Sequence, residues 1–198
     1  MTDEKIIGLL INNGSDVMEA SKNFAQILDK VAADTPLHLA ARYNSNSRVV
    51  SSLIAYGSEI DALDGLGDTP LLVSVAGRSS KVDNVLLLLK HGANPNFQSP
   101  RSTHMPLSSE ARRSRNLKII AELLRAGADI NLTNDNGITA LHSASFAPDT
   151  PTTREVIRLL LNAGANHEAL DKWGRTPMAV AREYKNLSAQ EALSFKEN

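Results

Sequence analysis

Two short motifs recur along this chain, in phase with each other. Thr-Pro, or a relic of it, stands at Thr35-Pro36, Thr69-Pro70, Met105-Pro106, Thr139-Ala140 and Thr176-Pro177, at spacings of 34, 36, 34 and 37 residues. Gly-Ser or Gly-Ala stands at Gly14-Ser15, Gly57-Ser58, Gly92-Ala93, Gly127-Ala128 and Gly164-Ala165. Two ladders repeating together mean one supersecondary unit copied along the chain. Such units bury their apolar faces against neighbouring copies rather than in one closed core.

Residues 57 to 92 show one copy. Gly57 follows the apolar run VVSSLIAY and suits a helix end, where a left-handed residue costs glycine little. IDALDGLGD is polar and glycine-rich and reads as a hairpin-like loop. Asp68 or Thr69 can cap a helix whose first turn holds Pro70, where a missing N–H does no harm. Leu71, Val73 and Val75 continue that short helix until 77 to 80 break it. A second helix follows, with Val82, Val85, Leu86 and Leu89 at helical spacing. The other second helices carry the same face: Val49, Val50, Leu53 and Ile54; Val85, Leu86, Leu88 and Leu89; Ile119, Ile120, Leu123 and Leu124; Val156, Ile157, Leu159, Leu160 and Leu161. These positions read as core, because helices this short hold only when stacked.

Residues 34 to 41 read D-T-P-L-H-L-A-A and 164 to 166 read G-A-N. The chain resembles the ankyrin repeat, whose signature is T-P-L-H-x-A. The resemblance covers roughly residues 34 to 185; the later copies drift to T-P-L-L-V-S-V, M-P-L-S-S-E-A, T-A-L-H-S-A-S and T-P-M-A-V-A-R. It implies an all-α solenoid of stacked helix-turn-helix units joined by hairpin-like loops. One domain is expected over 1–198: a cap with an inserted helix at 1–33, repeats at 34–67, 68–103, 104–137 and 138–174, and a closing cap at 175–198. In size the chain resembles small stand-alone bacterial ankyrin proteins. The family also implies that His38 and His142 are buried, bonded to backbone or to Thr35 and Thr139.

The departures are local. Polar stretches at 44 to 47, 78 to 81, 113 to 116 and 147 to 152 replace a tight inter-helix turn. Loop drift explains them, because added loop length costs little; a partner-contacting rim is the alternative. Thr152-x-x-Glu155 and Ser188-x-x-Glu191 have capping-box spacing, the second before a closing helix with Ala192, Leu193 and Phe195. Phe24, Ile27, Leu28 and Val31, with Ser21 as cap, predict an extra helix over about 21 to 32, and a first outer helix falls over 4 to 13.

Several functional classes are disfavoured. The net charge of −1 gives no global field toward nucleic acid or membrane. With no cysteine there is neither a disulfide nor a thiolate metal site. No secretory leader is read at the amino end, no run approaches a membrane span, and the expected location is the cytoplasm. His91, His104 and His167 form no ligand pair. No nucleophile elbow or phosphate loop occurs, since Gly65-Leu66-Gly67 lacks the strand and third glycine of a nucleotide fingerprint. No enzyme activity and no cofactor are expected.

The charge is uneven. Between 98 and 125, Arg101, Arg112, Arg113, Arg115, Lys118 and Arg125 face only Glu110 and Glu122. That cluster reads either as a solvated face or as part of a binding surface. The family's concave surface, mapped by motif phase, places partner contacts at Arg42, Tyr43, Leu66, Asp68, Arg101, Ser102, His104, Arg112, Arg113, Asp135, Asn136, Ile138, Phe146, Lys172, Trp173 and Arg175. Exposed Trp, Tyr and Arg are the types enriched in binding hot spots, although Trp173 could instead pack onto the next unit. The expectation is a protein-binding module, monomeric when free, whose partner offers an acidic and partly apolar patch. An immunity or inhibitor protein blocking one toxin or enzyme, and a secreted effector acting on a host protein, are the competing readings. Nucleic-acid binding is disfavoured because the basic cluster is confined to one unit. That unit is also the least regular: Met105 lacks a capping hydroxyl, and Ser108, Ser109 and Glu110 replace apolar residues. Proteins break local rules at functional sites.

Overall fold

The computed structural model describes residues 34–43, 47–77, 82–113 and 116–194. The helices expected over 4 to 13 and 21 to 32, and most of the polar turns at 44 to 47, 78 to 81 and 113 to 116, lie outside them. The described residues form ten helices and no strand. They are α1 (Pro36–Tyr43), α2 (Ser47–Ala55), α3 (Pro70–Ala76), α4 (Val82–Lys90), α5 (Pro106–Arg113), α6 (Leu117–Arg125), α7 (Ala140–Ser145), α8 (Pro151–Asn162), α9 (Pro177–Glu183) and α10 (Leu187–Ser194). The described residues fall into two compact units, divided between Ser102 and Thr103. In the first, α1 packs on α2 and α3, and α4 covers α2 and α3. In the second, α5, α7 and α9 lie side by side in sequence order, α8 packs on α6 and α7, and α10 closes against α8 and α9.

Both ladders are helix punctuation. The threonines cap first helices: Thr69, Thr139 and Thr176 accept from the N–H of Leu72 (3.3 Å), His142 (3.3 Å) and Ala179 (3.2 Å). Each such cap stabilises by about 1 kcal/mol. The glycines end second helices. Gly164 N–H donates to Leu161 C=O (2.9 Å) and Ala165 N–H to Leu160 C=O (3.0 Å). The same pair of bonds recurs at Gly57, Gly92 and Gly127, all near φ +90°. This double closure needs a left-handed residue, which is why the ladder is glycine.

Two expected caps fall elsewhere. The helix after 147 to 152 starts earlier than the Thr152-x-x-Glu155 spacing predicts. Thr150 accepts from Thr153 N–H (3.2 Å) and Pro151 opens α8, so Thr-Pro itself supplies the cap. At the closing helix, Asn186 rather than Ser188 accepts from Ala189 N–H (2.9 Å). The Asn186 amide also donates to Ser145 C=O (3.4 Å) and Ala147 C=O (2.8 Å). An amide can cap one helix and satisfy the end of another, which a serine hydroxyl cannot do as well.

The expected core faces are buried at Val50, Leu53, Val85, Leu88, Ile119, Ile120, Leu123, Val156, Ile157 and Leu160. Val49, Ile54, Leu86, Leu89, Leu124, Leu159 and Leu161 are only half-buried. They flank the buried stripe on outer-layer helices, which have just one fully covered side. The inner helices add Leu37, Leu71, Leu72, Leu107, Leu141 and Val180.

Candidate functional site

The hairpin loops before the first helices share one device. Asp64 Oδ1 accepts from the N–H of Leu66 (2.8 Å) and Asp68 (2.9 Å). Asn134 Oδ1 does the same for Asn136 and Ile138, both at 3.0 Å. Asp171 Oδ1 does it for Trp173 and Arg175, both at 2.9 Å. One buried or half-buried oxygen therefore pins each tip and leaves the residues around it to face outward. Family resemblance alone did not single out these residues, yet their signal is legible as D-G-L-G-D-T, N-D-N-G-I-T and D-K-W-G-R-T. In the third hairpin Pro100 stands where the carboxylate or amide belongs and Thr103 where the glycine belongs.

The motif histidines tie repeats together, as expected. His38 Nδ1 lies 2.8 Å from Thr35 Oγ1, and Nε2 lies 2.9 Å from Asp68 C=O. His142 Nδ1 lies 2.9 Å from Thr139 Oγ1, and Nε2 lies 3.0 Å from Arg175 C=O. A carbonyl only accepts, so Nε2 carries the proton and Nδ1 accepts from the threonine. Burial lowers both histidine pKa values, opposed by those carbonyl bonds, and keeps the rings neutral.

In the first unit the expected contact residues turn largely inward. Arg42 pairs with Asp34 Oδ2 (3.0 Å) and Asp64 Oδ2 (3.2 Å). Asp68, expected at the surface, is buried: its carbonyl receives His38 and its carboxylate accepts from Ser102 Oγ (3.3 Å). The corresponding Ile138 and Arg175 are half-buried, so the depth is particular to Asp68, whose carboxylate meets Ser102. Arg101 is exposed and donates to Gly65 C=O, and Leu66 stays exposed at its tip. Tyr43 ends α1, and its side chain lies outside the described residues.

The second unit gathers six of the expected residues. Trp173 is 57% exposed, so the alternative that it packs onto the next unit is overturned. Lys172 Nζ lies 4.6 Å and the Arg175 guanidinium carbon 4.8 Å from its ring centroid. That same carbon lies 5.8 Å from the Phe146 ring, and the guanidinium carbon of Arg112 stands 5.8 Å from the ring as well. Asn136 holds Lys172 by its carbonyl (2.9 Å to Lys172 N–H) and by its amide oxygen to Nζ. The result is a ladder running Arg112, Phe146, Arg175, Trp173, Lys172.

Three further residues complete it. Tyr184 meets Phe146 edge-on at 4.8 Å and is 55% exposed. Asp171 and Glu183 accept from Arg175 Nε (2.8 Å) and Nη1 (2.6 Å). Burial works to raise the Asp171 pKa, but bonds from the Arg175 and Trp173 N–H groups and from the guanidinium outweigh it and hold the carboxyl below its usual range. The bond to Asp171 raises the Arg175 pKa further. Phe146 and Tyr184 each follow the last residue of a first helix, seven and eight positions after the capping Thr139 and Thr176. Of the remaining expected residues, His104 and Asp135 are exposed, while Arg113 and Ile138 are half-buried and stand outside the ladder. Glu110 is fully buried and accepts from Asn116 N–H (3.0 Å), so it serves the next helix start rather than the surface.

A family model described as ankyrin repeats (3 copies) matches residues 2–99 and 108–197. This is an ankyrin-repeat protein. Among curated proteins, the ankyrin chain is 34% identical over 166 residues to the B-cell lymphoma 3 protein homolog of Mus musculus, covering 81% of this chain and 36% of that protein. It is 34% identical over 155 residues to the Mitochondrial disaggregase of Bos taurus, covering 76% and 21%. It is 30% identical over 97 residues to SH3 and multiple ankyrin repeat domains protein 2 of Homo sapiens, covering 49% and 5%. The ankyrin chain thus spans little more than a third, or less, of the relatives it matches. Ankyrin repeats mediate protein–protein interaction. Among the described residues no helix is long and apolar enough to cross a membrane, and no group of three or more His, Cys, Asp or Glu could hold a metal ion.

Proposed function

We propose that the chain is a non-catalytic protein-binding module acting in the cytoplasm, monomeric when free, and that the second unit's ladder is its partner surface. The observation carrying this reading is Trp173, exposed yet clamped by Arg175, which Asp171 and Glu183 hold in turn. A large exposed aromatic normally loses rotamer freedom on binding. Here the freedom is already restricted, so docking costs less. The partner matches it with an acidic and partly apolar patch. The likeness to a disaggregase covers a fifth of that protein and brings no activity to this chain.

The test is affinity for the native partner, captured from the source cells. Arg112→Glu combined with Trp173→Ala should abolish capture; retained affinity would refute the assignment. An inhibitor or immunity protein and a general adaptor would both use such a patch, and the number of partners separates them. A stable one-to-one complex with a single enzyme or toxin would establish the first form, whereas several partners at low occupancy would favour the adaptor.

A further inference from the structure

The three cations of the ladder are not equivalent. Arg175 is neutralised by Asp171 and Glu183 and is only 24% exposed at its side chain. The Asp171 carboxylate is fully buried, and both its oxygens accept bonds from within. Arg112 and Lys172 are exposed at the two ends. Their partners in the ladder are neutral, namely Phe146 for Arg112, and Trp173 and Asn136 for Lys172. Among the described residues neither forms an ion pair. The rings between them already face this chain's own cations, so a cationic ligand would meet like charge at every step. The surface instead presents two uncompensated positive charges on either side of exposed aromatic area.

We infer that this surface holds an acidic peptide segment of the partner, with one carboxylate at Arg112, another at Lys172, and an apolar side chain laid over Trp173 and Tyr184. This rests on the reading of the ladder as the partner surface and specifies what binds there. Arg175 is a positioning residue: it fixes Trp173 and offers its charge to its own carboxylates. A single strand of nucleic acid would also find aromatic faces and cations here. Its phosphates, however, carry charge at every nucleotide, and the exposed Glu183 lies at this surface on Arg175. A peptide can place its acids at the ends and avoid it.

Trp173 is the only tryptophan of the chain, so its fluorescence reports on this surface alone. The intact chain is titrated with three synthetic peptides of one length, each with a Leu-rich centre and Glu, Gln or Lys at both ends, and with a single-stranded oligonucleotide. The Glu peptide should shift Trp173 emission saturably, with affinity falling as salt rises. Arg112→Gln and Lys172→Gln should each weaken it about fivefold, as for exposed ion pairs. Arg112→Glu with Lys172→Glu should transfer preference to the Lys peptide, with an unchanged helical circular dichroism spectrum. Equal binding of the Gln peptide, tighter binding of the oligonucleotide, or no binding of the Glu peptide overturns the carboxylate assignment. If the Glu peptide fails while Arg112→Glu/Trp173→Ala still loses the native partner, only the chemistry falls; if native affinity also survives, the surface falls with it.

Discussion

The hairpins at 64 to 68 and 171 to 175 have one backbone and two surfaces. In each, an aspartate accepts from the residues two and four positions on. Its own N–H donates to the fourth residue's carbonyl (3.0 Å in both), and the motif histidine reaches that carbonyl as well. Around this frame the first unit places Gly65, Leu66 and Asp68, and the second places Lys172, Trp173 and Arg175. The arginine near each tip pairs with two carboxylates, Arg42 with Asp34 and Asp64 and Arg175 with Asp171 and Glu183, but Arg175 also lies over two aromatic rings. Residues bonded to the backbone are held constant, and residues bonded to nothing essential are available for recognition.

The largest effect comes from breaking the shared frame. Asp64→Ala or Asp171→Ala removes a fully buried side chain and strands two backbone donors. Each should cost about 2–4 kcal/mol, measured by urea unfolding. The two variants should be alike in stability and unlike in readout: only Asp171→Ala should alter Trp173 fluorescence and partner binding. If Asp64→Ala disturbs Trp173 equally, the frame is not local.

Burial of the two motif histidines gives the next effect, because the buried rings resist the charge that the unfolded chain takes up. Both rings are neutral in the fold, with pKa lowered from 6.5. The unfolded chain takes up protons first as pH falls. Stability is therefore complete above about 6.5 and declines below it, levelling off only beneath the depressed folded values. Asp171, lowered from 3.8, adds a separate loss as pH falls through its own folded value. Urea midpoints at pH 7.5 and about 5.5 should differ. The double variant His38→Leu/His142→Leu should be less stable at the higher pH and insensitive between the two. Leu72 already occupies the same motif position, fully buried, in α3, so leucine fits there.

Much of this was legible because backbone chemistry repeats. The Thr caps, the Gly helix ends and the buried motif histidines each demand particular residue types, and periodicity exposes such demands even in degraded copies. The side-chain ladder does not repeat. Asp171 and Glu183 became site residues only through the direction in which Arg175 extends, and Tyr184 through its edge contact with Phe146. Asp68 looked exposed by phase, but its carboxylate turns to Ser102, thirty-four positions on. Periodicity locates a position within its unit and says little about which neighbour a long side chain will choose.

The third hairpin lacks the frame, and the division between the compact units falls inside it, between Ser102 and Thr103. Thr103 sits at φ +55°, where the matching Gly67, Gly137 and Gly174 lie at +78°, +71° and +73°. A β-branched residue in that region is strained. Thr103→Gly should stabilise the chain by about 1 kcal/mol in urea unfolding, the relief of strain exceeding glycine's added unfolded-state entropy. The reverse change at Gly137 should destabilise by more, since a Cβ there would come 3.1 Å from Asp171 Cα. An unchanged midpoint for Thr103→Gly would mean that this hairpin relaxes without cost.

The smallest stability effect should come from moving the recognition residue onto the other frame. Leu66 and Trp173 hold the same place in their hairpins and are 51% and 57% exposed. Leu66→Trp, made together with Trp173→Phe, should therefore change stability by less than about 0.5 kcal/mol, as exposed substitutions do. It should not create a second binding surface. Its hairpin neighbours would be Gly65 and the buried Asp68, in place of Lys172 and Arg175, and the exposed Arg101 beside it is committed to Gly65 C=O, so no arginine held by carboxylates would clamp the new ring. The transplanted tryptophan should show the emission of a solvated indole and no response to an acidic peptide. A response equal to that of Trp173 would show that the hairpin tip suffices for binding, and that the cations stacked on Trp173 only accompany it.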